Sequence, residues 1–229
     1  MIYITGDKHR DFSSVKSFCK KQNTTTDDVM IVLGDAGINY FNDDRDKEYK
    51  SYLAEIPITF FCIHGNHDMR PWHVPGIKLI DYHGAKAYAE PDYPNIIYGI
   101  DGLVYDFNGK QCIVAGGAYS VDKYYRLANN MRWFYDEQPN DAIKTLIRES
   151  IASHPNIDVV LSHTCPFKYI PTEMFISGID QSQVDNSTEH FLDEIEEIVP
   201  YKKWYCGHWH TEKVVQNLRF MFNDIIEFG

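Results

Sequence analysis

Six apolar runs punctuate the chain: MIYIT (1–5), VMIVLG (29–34), ITFFCIHG (58–65), NIIYGI (95–100), DVVLSHT (158–164) and KKWYCGH (202–208). Several are continuously apolar instead of alternating, as in strands covered on both faces. The mixed stretches at 12–22, 43–54, 139–153 and 188–198 predict helices. The last of these opens as STEHFLDEIEEIV, with Ser187 in the place of an N-cap and acidic residues in the first turns. Two segments read as antiparallel hairpins. GLVYDFNGKQCIVAGG carries Asn108-Gly109 between strand-like runs, and VVQNLRFMFNDIIEFG turns near Gln216-Asn217. Strand–helix alternation with hairpins between predicts an α/β fold of layered mixed sheets. No repeat, low-complexity tract or linker divides residues 1–229, which are read as one domain. The irregular stretch at 166–186 follows a strand end and reads as a lid or binding loop.

Composition narrows the class. The chain has 229 residues, 44% apolar and 24% charged, with a mean hydropathy of −0.40. That is ordinary for a globular protein. No apolar run approaches the roughly 18 residues of a membrane span, so no membrane partner is expected. The start, MIYITGDKHR, lacks the features of a signal peptide, which makes the cytoplasm the expected compartment. Five scattered cysteines form no C-x-x-C pair. Cys62, Cys112 and Cys206 sit in strand-like runs, where a reduced thiol serves as a small core residue. The net charge is −11, and the basic pairs are Lys20-Lys21 and Lys202-Lys203. Without a basic stripe, extended nucleic acid is not an expected partner. A small phosphate-bearing substrate is compatible, because bound cations offset acidity locally.

The strand ends carry the candidate chemistry. Gly6-Asp7-Lys8-His9, Gly34-Asp35, Gly65-Asn66-His67-Asp68, His163 and Gly207-His208-Trp209-His210 each follow an apolar run. In open α/β sheets, sites assemble at the carboxyl ends of strands. Asp7, Asp35, Asn66, His9, His163, His208 and His210 make seven oxygen or nitrogen donors with no thiolate. Such a set exceeds one tetrahedral zinc and suits two hard or borderline divalent ions sharing a carboxylate. Two ions about 3.5–4 Å apart clamp the attacking and leaving oxygens of a displacement at phosphorus. A hydroxide between them is a strong nucleophile at neutral pH.

These blocks, in this order, resemble the calcineurin-like metallophosphoesterase superfamily. The likeness runs from residue 6 to residue 210. It implies a two-sheet sandwich flanked by helices in αββα layers, and hydrolysis of a phosphomonoester or phosphodiester. It also implies that Asp7, His9 and His210 hold one ion, that Asn66, His163 and His208 hold the other, and that Asp35 bridges. His67 is then the catalytic residue that assists the leaving group, and Asn66 also faces the substrate. Mn²⁺ is the expected metal, with Fe or Zn as alternatives. Nuclease, RNA-debranching-like and cyclic-nucleotide activities are the alternatives within the enzyme class, and a non-catalytic scaffold is the alternative outside it.

The pattern departs from the family in two places. Arg10 follows the first block where many members have glycine, and is a candidate phosphate ligand. GDAGINYF places Ile38 where protein phosphatases carry a second Asp, with no Arg following. That counts against a protein phosphatase and leaves Asp68 as a candidate to orient His67. The segment at 116–139 offers Tyr119, Lys123 and Arg126 as substrate contacts, with Tyr119 and Tyr124 able to stack on a base. Trp133 and Phe134 of the same segment are expected in the core. His64, His73, His83, His154 and His190 lie outside the pattern and read as surface or core residues.

Overall fold

A computed structural model describes all 229 residues. The first half of the chain runs β1 (Ile2–Thr5), α1 (Ser13–Gln22), β2 (Val29–Val32), α2 (Asp44–Ala54), β3 (Thr59–Cys62), β4 (Lys78–Tyr82), β5 (Ala85–Ala89), β6 (Ile96–Tyr98), β7 (Val104–Phe107) and β8 (Lys110–Ala115). It continues with α3 (Lys123–Ala128), α4 (Asp141–Ser153), β9 (Val159–Ser162), α5 (Ser187–Ile198), β10 (Lys203–Cys206), β11 (Lys213–Val215), β12 (Leu218–Phe220) and β13 (Ile226–Glu227). One sheet has the order β13-β1-β2-β3-β6-β5-β4, and the other β11-β12-β10-β9-β8-β7. In the first, β1, β2, β3 and β6 are parallel. In the second, β8, β9, β10 and β12 are parallel. Antiparallel strands complete both edges.

The continuous apolar runs exist because each strand feeds two interfaces. Successive side chains point to opposite faces. Ile31 joins Phe61, Val114 and Leu161 between the sheets, while Met30 and Val32 pack outward with Val15 of α1 and Leu53 of α2. On the other sheet, Ile113 and Trp204 face outward against Ile147 of α4 and Phe191 of α5. The result is the four-layer sandwich that the resemblance implied. No helix is long and apolar enough to cross a membrane.

Several local expectations need correction. Ser187 is the first helical residue of α5 and not its cap; its N–H donates to Asp185 Oδ1 at 3.0 Å. Helices α2 and α4 start one or two residues later than the sequence pattern suggests. They are capped by Asp43 on the Arg45 N–H and by Asn140 on the Ile143 N–H. The β4–β5 hairpin went unpredicted although its signal is present: His83 (φ 46°) and Gly84 (φ 85°) turn as Asn108 (φ 55°) and Gly109 (φ 76°) do. Phe134 is buried but packs edge-to-face on Tyr40 at 6.0 Å, outside the three main cores. Trp133 lies only half-buried, beneath the Lys123 ammonium at 4.2 Å. All five cysteines are buried and unpaired. Residues 166–186 form short 3₁₀ turns at Phe167–Tyr169, Thr172–Met174 and Gln181–Gln183.

Candidate metal centre

The loops after β1, β2, β3, β9 and β10 meet at one edge of the sandwich, tied by backbone. Lys8 and His9 N–H donate to the Asp35 carbonyl at 3.1 and 2.7 Å, and Gly207 N–H donates to the His163 carbonyl at 2.8 Å. Convergence this tight bends the chain into the left-handed region at four non-glycine donors: His9 (φ 43°), Asp35 (φ 47°), His208 (φ 66°) and His210 (φ 47°). Such backbone costs of order 1–3 kcal/mol per residue and persists where surrounding structure enforces it. Two glycines make room. A Cβ on Gly34 (φ +90°) would fall 2.2 Å from His163 Nδ1, and one on Gly65 would fall 2.1 Å from Asp35 Oδ1.

The side chains then bring ligand-type atoms close to one another. Asp7 Oδ1 receives the His208 N–H at 2.8 Å, but its Oδ2 is buried without any hydrogen-bond partner. That orphan oxygen lies 3.3 Å from His210 Nε2 and 3.8 Å from His9 Nε2. The two imidazole nitrogens are themselves 2.9 Å apart. Asp35 reaches both ways, with Oδ2 at 3.8 Å from His9 Nε2 and Oδ1 at 3.7 Å from His163 Nε2. His163 Nδ1 sits 2.8 Å from the Leu33 carbonyl and can only donate to it, which leaves Nε2 as the ring nitrogen facing the centre. Asn66 Oδ1 faces that nitrogen at 2.8 Å and His208 Nδ1 at 3.1 Å.

Electrostatics point the same way. Asp7, Asp35 and Asp68 are all buried in this one place. Burial, reinforced by Asp68 and Asp7, pushes the Asp35 carboxyl well above the ordinary range. Burial likewise drives the His208 imidazole well down. Ring nitrogens, an amide oxygen and carboxylate oxygens converging beside clustered carboxylates are the donor set a cation satisfies. Asp7, His9 and His210 form one group of mutually close donor atoms, and Asp7, Asp35 and His163 another.

His67 stands at the rim. Its backbone N–H donates to Asp35 Oδ1 at 2.8 Å, while its ring Nε2 meets Asn66 Nδ2 at 3.2 Å and Arg126 Nη2 at 3.3 Å. Both neighbours are donors, so Nε2 accepts. Burial and then Arg126 lower its pKa to about 3. Arg126, from α3, is itself held by Asp122 at 2.7 Å and the Tyr40 hydroxyl at 2.9 Å. The centre opens into a cleft of about 570 Å³. His67, Arg126 and Tyr119 line it beside the donors, and Met174, Phe175 and Ile176 form an apolar wall opposite.

Several expected contacts are absent. The Arg10 guanidinium turns away from the cleft to Asp46 (2.8 Å), the Gly37 carbonyl (2.9 Å) and the Arg45 carbonyl (3.0 Å), and stacks on Tyr49. Lys123 faces Trp133 and does not line the cleft. Asp68 does not orient His67: it accepts the N–H groups of Gly37 (2.8 Å), Ala36 (3.2 Å) and Gly65 (3.3 Å), bracing the Asp35 turn. Tyr124 is 68% exposed and lies outside the cleft. Sequence reasoning overlooked Glu189, a cleft-lining carboxyl that burial raises to about 7. Its place in an amphipathic helix pattern gave no chemical signal.

A family model for calcineurin-like phosphoesterases matches residues 1–212. The chain belongs to that family. Calcineurin-like phosphoesterases are metal-dependent hydrolases, typically with a dinuclear centre, and the converging donors fit that requirement. No curated protein matches the sequence. Among solved structures, the crystal structure of TT1561 of Thermus thermophilus is similar at 13% identity and a TM-score of 0.53, over 96% of this chain and 87% of that one. A protein of unknown function from Aquifex aeolicus, AQ665, is a looser likeness, at 14% identity and a TM-score of 0.37, over 74% of this chain and 81% of that one. At such identity the Thermus likeness speaks for the fold alone.

Proposed function

We propose that this calcineurin-like phosphoesterase hydrolyses a small phosphoester whose ester group is bulky and apolar, with two divalent cations, Mn²⁺ foremost. Asp7, His9 and His210 would hold one ion, and Asn66, His163 and His208 the other. Asp35, which faces both groups, would be the shared carboxylate. Bound there, such ions supply Lewis-acid polarisation of the phosphoryl group and activation of water. The observation that supports the reading is the pair of close contacts between ligand-type atoms on either side of Asp35: His9 Nε2 against His210 Nε2 at 2.9 Å, and His163 Nε2 against Asn66 Oδ1 at 2.8 Å.

The chain's own groups divide the remaining work. Arg126 offers guanidinium N–H groups beside His67 and would grip a non-bridging phosphate oxygen. Its pairing with Asp122 and Tyr40 holds it there before substrate arrives. His67 is kept neutral by burial and by that same guanidinium. A phosphate anion seated between them would offset the Arg126 charge, letting the imidazole carry a second proton. That proton, taken up from solvent, passes from the ring to the departing alkoxide as its P–O bond breaks and a water oxygen becomes bonded to phosphorus. Tyr119, Phe175 and Ile176 would receive the ester group, away from the ions.

The test is a screen of chelated and Mn²⁺-reconstituted protein against aryl phosphates, bis-aryl phosphates, nucleotides, cyclic nucleotides and short oligonucleotides. Activity confined to the reconstituted protein and greatest on apolar esters is expected. Preference for oligonucleotides would replace this reading with a nuclease, and failure to bind any metal would favour a scaffold.

A further inference from the structure

Behind Asn66 runs a short chain of polar groups that never reaches the cleft. Asn66 Nδ2 donates to Ser120 Oγ at 2.9 Å, and Ser120 Oγ donates to Glu137 Oε2 at 2.6 Å. Glu137 Oε1 also accepts the Ser120 N–H at 3.1 Å. The three residues are 2%, 1% and 3% exposed, so water does not substitute for any link. We propose that Glu137, acting through Ser120, is a positioning residue that fixes which end of the Asn66 amide faces the metal centre.

The argument is one of counting protons. An amide side chain has nearly the same shape either way round, yet only its carbonyl end can serve a cation. A serine hydroxyl has a single proton. Glu137 is an acceptor when ionised and claims that proton, leaving Ser120 Oγ with lone pairs only. The amide can then present only its NH₂ to Ser120, which turns Oδ1 toward His163 and His208. The carboxylate thus biases the polarity of the chain from two links away, and the second Asn66 N–H, 3.2 Å from His67 Nε2, favours the same orientation.

The chain is also held rigidly. Asp101 Oδ1 accepts the Gly116 N–H at 2.7 Å, four residues before Ser120. Arg70, 1% exposed, pairs with Asp101 and donates from Nε to the Asp136 carbonyl at 3.1 Å, next to Glu137. One buried ion pair therefore pins both limbs, 116–120 and 136–137. Partners of this kind, behind a ligand, typically govern metal affinity by about 10–100-fold.

The inference rests on the two-cation reading, and the experiment separates them. Mn²⁺ is titrated calorimetrically into chelated wild type, Glu137→Gln and Ser120→Ala, with thermal melting of each metal-free protein. Glutamine keeps the size of Glu137 and an oxygen for the Ser120 N–H. It offers NH₂ to Ser120 Oγ, however, freeing the hydroxyl proton to reverse the amide. Two sites are expected in wild type. In both variants one site should weaken by about 10–100-fold with the other unchanged, and Glu137→Gln should melt near wild type. Two unaltered sites in Glu137→Gln would overturn the inference and leave the two-cation reading standing. So would a Glu137→Gln protein that loses cooperative melting while Ser120→Ala keeps both sites, since the role would then be structural. Fewer than two sites in wild type would overturn the two-cation reading itself, and the inference with it.

Discussion

The two walls of the cleft are built by different rules. One is the row of strand ends, where Asp7, Asp35 and Asn66 are each 2% exposed and His163 is fully buried. Their positions are inherited from parallel strands locked in register and from backbone held in the left-handed region. The facing wall is the run of 3₁₀ turns of 166–186, with Met174 at 37%, Phe175 at 38% and Ile176 at 61% exposure. Its backbone hydrogen bonds are local turns, such as the Met174 N–H on the Pro171 carbonyl at 2.8 Å, in place of strand pairing. Reaction chemistry needs donors fixed to within fractions of an ångström, which sheet ends supply. Selection of an ester group needs only shape and apolar surface, which loops supply and can vary. The division predicts that substitutions on the first wall act on turnover, and those on the second act on substrate choice.

The harshest way to break the comparison is Asp35→Asn. The amide keeps the shape but removes a carboxylate that faces His9 on one side and His163 on the other. Turnover of an aryl phosphate should fall to the background of the chelated protein, and Mn²⁺ stoichiometry should drop. Unchanged activity would dissolve the two-wall picture. Next in size is His67→Ala, which removes the rim group without touching the donor cluster. Its turnover should fall about 10²–10⁴-fold, while metal content by elemental analysis stays that of wild type. Loss of metal in step with activity would make His67 a ligand instead.

The same contrast explains what could be read from the sequence. Strand-end donors announce themselves, because a Gly-Asn-His-Asp after a continuous apolar run has few structural explanations. Five such blocks in order identified both the family and the layers. Arg10 misled because adjacency to His9 in sequence says nothing of direction: at φ 70° the chain reverses, and the guanidinium meets Asp46. Asp68 misled in a similar way, since three N–H groups from neighbouring turns claim its carboxylate before His67 can. Ser120 and Glu137 were illegible. Their role depends on a contact with Asn66, a residue 54 positions from Ser120. No periodicity or motif records such a meeting.

A milder test sharpens the second wall. Phe175→Ala removes apolar surface from the segment that faces the donors. Burying a side chain of this size contributes about 1.5–3 kcal/mol, and Phe175 is already partly covered, so kcat/KM for an aryl phosphate should fall about 3- to 10-fold. The loss should appear mainly in KM. For a small alkyl phosphate, which cannot reach the wall, no change is expected. Equal losses on both substrates would mean that the 166–186 segment acts on the reaction centre and not on the ester group.

The smallest effect on turnover should come from Arg10→Ala, although its neighbour His9 belongs to the donor cluster. The guanidinium bonds the buried Asp46, the Gly37 carbonyl in the loop between β2 and α2, and the Arg45 carbonyl in the first turn of α2. Removing it leaves Asp46 with the N–H groups of Phe41 and Asn42, each at 2.7 Å, so the carboxylate keeps part of its support. The lost charge-assisted bond should lower stability by about 1.5–3 kcal/mol, read as a drop in denaturation midpoint with no change in slope. Turnover and KM measured well below the new transition should match wild type. A fall in kcat/KM of tenfold or more at full folding would put Arg10 back among the phosphate contacts and move part of substrate binding onto the strand-end wall.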